Sequence, residues 1–156
     1  MKLSVLTMII FAACAGASNT PTEPETNASP WRIELTSSGG FAGRGAGNYT
    51  LDSSGAFVLT TMNGRTCTFQ LEAEDVSRFT RLLAASDPES WKASYAPDDR
   101  CCDRIEYRLK VERDGSHTTE WIDDPLPMPQ GLTNLWMAIT GGTDESLRMK
   151  YDPQCR

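Results

Sequence analysis

The chain has 156 residues, enough for one domain with a single buried core and too few for two ordinary domains once a targeting segment is set aside. Its 15 Lys and Arg against 21 Asp and Glu give a formal net charge of −6. So acidic a chain lacks the clustered cations that a nucleic acid demands, which leaves a basic or neutral protein as the expected partner.

The N-terminus reads as an export signal over residues 1–13: Lys2, then the apolar run Leu3 to Phe11, then Ala12 and Ala13. The apolar run is too short to cross a bilayer as a mature helix. Phe11-Ala12-Ala13-Cys14 looks like a bacterial lipobox, with Phe11 where Leu is usual. Acylation of Cys14 is therefore expected, and with it a lipid anchor in a bacterial envelope membrane. Cleavage near Ala15-Gly16-Ala17 is the alternative, giving a secreted or periplasmic soluble protein. Residues 14–30, rich in Thr, Pro, Asn, Glu and Ser, have almost nothing to bury and are expected to form a disordered tether. Residues 31–156 then make one domain.

Trp31 to Thr36 alternates apolar and polar residues as a half-buried strand does. Five glycines follow within the nine residues Gly39 to Gly47, and Phe41 is the one bulky apolar side chain among them. Such a segment is expected to be pliable. It could be a floppy strand connection with Phe41 folded into the core, or a loop that offers Phe41 to a partner's pocket. Asn48 to Leu51 predicts a short second strand, ended by the turn Asp52-Ser53-Ser54-Gly55.

Ala56 to Leu71 reads as a hairpin closed by the two residues Asn63-Gly64, which tolerate the positive φ values of a type I′ turn. That closure sets Thr60 opposite Cys67 and Val58 opposite Phe69. Glu72 to Ala85 predicts a helix with Val76, Phe79, Leu82 and Leu83 on one face, and Glu72, Glu74 and Asp75 at the positive end of its dipole. Ser86 to Arg100 reads as a loop whose Trp91 and Tyr95 fold back onto the sheet. Ile105 to Arg113 alternates most cleanly of all, and Asp114-Gly115 turns it into Ser116 to Ile122. A bulged turn would bring Trp121 onto the dry face, opposite Leu109. A short helix over Gln130 to Thr140 ends at Gly141-Gly142. The predicted class is α+β: an antiparallel sheet with one longer and one short helix on one face, stapled by disulfides.

Cys67, Cys101, Cys102 and Cys155 form an even set in an exported domain, as disulfides do. A bridge between the neighbours Cys101 and Cys102 would be strained, so Cys67 is expected to pair with one of that couple and Cys155 with the other. No CxxC spacing points to zinc or thiol redox chemistry. His117 is the single histidine and sits beside a tight turn, a surface position rather than a catalytic one. Asp123-Asp124 reads as a solvated loop, not a cation site. Gly43-x-Gly45-x-Gly47 lacks the Lys-Ser/Thr of a phosphate loop. No catalytic residue, metal or cofactor is predicted, and the protein is read as a monomeric non-enzyme.

In order, the first strand entering Ser38-Gly39-Gly40-Phe41-Ala42-Gly43, the helix from Val76 to Ala85, the run Asp103 to Gly115, His117-Thr118, and a short helix ending in Leu135-Trp136 resemble the emfourin family. That family comprises small protealysin inhibitors that block thermolysin-like metallopeptidases. The resemblance spans most of Trp31 to Ile139. The export signal, the hairpin Ala56 to Leu71 and the four cysteines depart from it. It implies a proteinaceous inhibitor that occupies a peptidase cleft, and Gly39, Gly40, Phe41, Ala42 and Gly43 are the candidate contact residues. The competing expectation is a non-catalytic envelope lipoprotein that binds another envelope protein.

Overall fold

The computed structural model describes residues 29–98 and 103–155. Cys14, Cys101, Cys102, the export signal and most of the tether lie outside these residues. Six strands form one antiparallel sheet: β1 (Arg32–Gly39), β2 (Asn48–Asp52), β3 (Ala56–Thr60), β4 (Thr66–Gln70), β5 (Ile105–Glu112) and β6 (Ser116–Ile122). Their order across the sheet is β4-β3-β2-β1-β5-β6. β1 to β4 form a meander. The chain then crosses a sheet face through α1 (Ala73–Ser86) and returns as β5 against the open side of β1. The first strand therefore lies in the interior of the sheet, where Ile33 and Leu35 are shielded completely.

One face of the sheet carries Ile33, Leu35, Leu51, Phe57, Leu59, Leu109 and Val111, all buried in one cluster with Phe79 and Leu83 of α1. Leu132, Leu135 and Ile139 of α2 (Gln130–Thr140) and Leu147 and Tyr151 of α3 (Leu147–Tyr151) complete that core. Arg32, Thr36, Thr68, Arg108 and Thr118 face solvent on the other side. The α+β architecture with helices on one face agrees with the sequence pattern. α3 is an addition: its five residues are too few to show a helical period.

Two turns differ in register from the sequence reading. Met62, Asn63 and Gly64 form a three-residue turn closed by the Thr61 N–H donating to the Arg65 carbonyl, and of the three only Gly64 has positive φ. Pairing thus shifts by one residue, so that Phe57 faces Phe69 and Leu59 faces Cys67. The slip is decided by burial: this register places Phe57 and Leu59 inward, and the expected one would have placed the smaller Val58 there. β5 and β6 are likewise joined by the three residues Arg113 to Gly115, with Asp114 at φ +57°. Trp121 does lie on the dry face, but it stacks opposite Tyr107, not Leu109, with ring centroids 5.6 Å apart.

The disulfide expectation is corrected as well. Cys67 pairs with Cys155, at a Cα separation of 5.8 Å, and neither bonds to Cys101 or Cys102. The reason lies at the C-terminus. α3 packs Tyr151 against Phe57 and Phe69, 5.2 and 5.1 Å between centroids, which brings the tail under β4 where Cys67 points.

A braced glycine loop at one end of the sheet

β1 and β2 are joined by residues 40–47, and the loop is ordered by its own backbone rather than pliable. Its base is tied by Ser37. The Ser37 amide donates to Asn48 Oδ1 at 2.9 Å, its hydroxyl donates to the Gly47 carbonyl at 2.6 Å, and the Ala46 amide donates to that hydroxyl at 2.8 Å. Higher up, the Gly45 amide donates to the Gly39 carbonyl and the Gly40 amide to the Arg104 carbonyl, both at 2.9 Å. At the tip, the Gly43 amide donates to the Gly40 carbonyl at 2.9 Å, so Phe41 and Ala42 are the central pair of a tight turn.

Two of the glycines are required by these close approaches. Gly39 has φ +79°, and a Cβ there would collide with the Arg104 carbonyl oxygen. Gly45 has φ +65°, and a Cβ there would stand 2.5 Å from the Ser37 carbonyl carbon. The expectation that the five glycines signal freedom is therefore corrected: the backbone uses them for positive φ and near contact, and the result is a fixed shape. Phe41 is 96% exposed at the apex. The reading that tucked it into the core does not hold.

The loop rests on a second tier. Arg104, whose carbonyl receives Gly40, extends its guanidinium to Asp123 at 3.6 Å and Asp124 at 3.4 Å. Asp123 and Asp124, exposed in a bend as the sequence reading expected, are in addition the counter-charge of Arg104 beside the candidate site. Beneath the loop's other limb lies Tyr49, whose hydroxyl donates to the Ala46 carbonyl at 3.4 Å and whose burial pushes its pKa up to about 12. Tyr107, packed near Asp123, is also raised, mainly by burial.

All five candidate residues, Gly39 to Gly43, therefore sit together in one projection. Sequence reasoning missed Arg104, Ser37 and Asn48, the residues that shape it. The carbonyl of Arg104 becomes available to Gly40 only because Gly39 pairs with Ile105, a register that cannot be read before strand order is known. His117 lies elsewhere, opposite Val111 near the β5–β6 turn at the far end of the sheet. Among the described residues no group of three or more His, Cys, Asp or Glu is arranged to hold a metal ion, and no helix is long and apolar enough to cross a membrane. No family model, curated protein or solved structure matches this chain.

Proposed function

We propose that this protein is a non-catalytic inhibitor of a thermolysin-like metallopeptidase, exported and held at the envelope through Cys14, which inserts the Gly39 to Gly43 projection into the peptidase cleft with Phe41 as its anchor. One observation carries the reading: a nearly fully exposed Phe41 on a loop whose backbone is fixed by hydrogen bonds before any partner arrives. An apolar side chain held ready in this way contributes burial on binding while little ordering entropy is lost. Gly43, at the tip, has open space around the position of a Cβ, so a groove wall can approach the backbone closely there.

The attachment point supports the same reading. The Ser53 amide donates to the Trp31 carbonyl, and the Trp31 amide to the Ser53 hydroxyl, at the end of the sheet where Arg32 pairs with Asp52, opposite the end that bears Phe41. A tether leaving through Pro30 therefore directs Phe41 away from the anchoring surface.

The test is a peptide-cleavage assay of a thermolysin-like enzyme with the purified protein added. Inhibition is expected at stoichiometric amounts. Phe41→Ala is expected to weaken it by roughly 2 kcal/mol, about thirtyfold in the inhibition constant. Unchanged cleavage at a large molar excess of the unaltered protein would overturn the reading and leave binding to another envelope protein as the alternative.

A further inference from the structure

The pairing register gathers more than one turn at the end that bears Phe41. Asn48 at the start of β2 pairs with Thr60 at the end of β3, and Thr60 pairs with Thr66 at the start of β4. The β1–β2 loop and the β3–β4 turn therefore project from the same end of the sheet. Each bridges two neighbouring strands, so their centres stand two strand spacings apart, about 10 Å.

The second turn repeats the design of the first. Met62 is 58% exposed at its apex. Its backbone is closed by the Thr61 amide donating to the Arg65 carbonyl and the Gly64 amide donating to the Thr61 carbonyl, both at 2.8 Å. The Cys67–Cys155 bridge fixes β4 to the C-terminal tail just below it, and Asp152 and Cys155 line a hollow beside Thr61, Met62 and Arg65. Charge marks the β1 to β4 side of this end as well, the exposed Asp123 and Asp124 lying toward its β6 edge with Arg104. In a chain of net charge −6, Arg44 stands exposed in the first loop and Arg65 in the second turn, and neither has a carboxylate partner among the described residues. The surface between the tips is uncharged, made by Asn48, Thr60 and Thr66.

We propose that the β3–β4 turn is a second contact element, with Met62 as its anchor, and that the partner is a protein cleft with two apolar subsites about 10 Å apart between acidic walls. This rests on the inhibitor reading and narrows its target. Phe41 supplies a rigid ring to one subsite, and Met62 an adaptable thioether to the other. Ten ångströms is about the length of three extended residues of a bound peptide, so the two anchors take places that a substrate's side chains would otherwise fill. The two arginines face the acidic walls and speed the encounter.

The experiment compares full-length variants as inhibitors of a thermolysin-like enzyme with a fluorogenic peptide substrate. Met137 of α2, 46% exposed and part of neither turn, supplies the control. Met62→Ala is expected to raise the inhibition constant about tenfold and Met62→Leu to restore it to within about threefold, while Met137→Ala changes it less than about twofold. If Met62→Ala behaves like Met137→Ala while Phe41→Ala still weakens inhibition, the second anchor is refuted and the first stands. If the unaltered protein does not inhibit, both fall.

Discussion

At Gly39, two independent constraints meet in one residue, because positive φ and contact with the Arg104 carbonyl oxygen each disfavour any side chain. Gly43 faces only the first: its φ is +67°, but the space around a Cβ there is open. The two positions should therefore separate in a melting experiment. Gly39→Ala is expected to cost about 2–4 kcal/mol, since the clash adds to the left-handed strain, and Gly43→Ala only about 1 kcal/mol. Equal losses at both positions would mean that the Arg104 contact does not constrain the loop. The glycine spacing drew attention to this segment, with Phe41 as the bulky apolar residue in it, and the resemblance made Gly39 to Gly43 the candidate residues. What the spacing could not supply was the sense of the glycines. Conformational freedom and a requirement for positive φ look alike in a sequence, and only the hydrogen bonds that involve Ser37, Asn48 Oδ1 and the Arg104 carbonyl distinguish them.

Elements were legible where a period ran for several residues and illegible where a partner decided the outcome. β1, β5 and α2 show their buried faces directly in the alternation of Ile33 with Leu35, of Leu109 with Val111, and in the spacing of Leu132, Leu135 and Ile139. The β3–β4 register was misread because Asn63-Gly64 looks like a two-residue turn in isolation, whereas β2 selects the register that buries Phe57 and Leu59. Asp75 was read as an acidic residue complementing the α1 dipole. It does stand in the first turn, and it is also 7% exposed and turned toward α3, accepting from Lys150 Nζ at 2.9 Å and from Arg78 at 3.2 Å, with the Tyr151 hydroxyl at 3.4 Å. Glu72 joins the same lysine at 2.8 Å. The cluster fastens the five-residue α3, too short to be stable alone, onto α1. Asp75→Ala is expected to cost about 2 kcal/mol, below the usual loss for a buried pair because Lys150 keeps Glu72 and some solvent. A melting temperature lowered by roughly 6 °C would register it. No change would show that the Tyr151 ring and the disulfide hold α3 without the ion pairs.

Across the whole molecule the described chain enters the sheet at one end and presents Phe41 and Met62 at the other, and a common core holds both in place. Several groups in or beside that core hold their protons more tightly than usual. Tyr49 is pushed up to about 12 by burial, and Tyr107 and Tyr151 are raised in the same direction, chiefly by burial. Lys150 is raised by its hydrogen bonds to Glu72 and then Asp75. Each folded-state value lies above that of the unfolded chain, so each contribution is complete below about pH 10 and is lost as the pH rises through the folded value. Between these limits the unfolded chain has released protons that the fold retains, and stability must fall with increasing pH. For Tyr49 alone the span from pH 10 to 12 amounts to about 2–3 kcal/mol. The guanidinium midpoint is therefore expected to hold up to about pH 9.5 and then decline steeply, with Tyr49→Phe declining less because phenylalanine has no proton to release. A midpoint unchanged to pH 11.5, or an equal decline in Tyr49→Phe, would show that the phenol beneath the Phe41 loop does not resist ionisation as its burial implies.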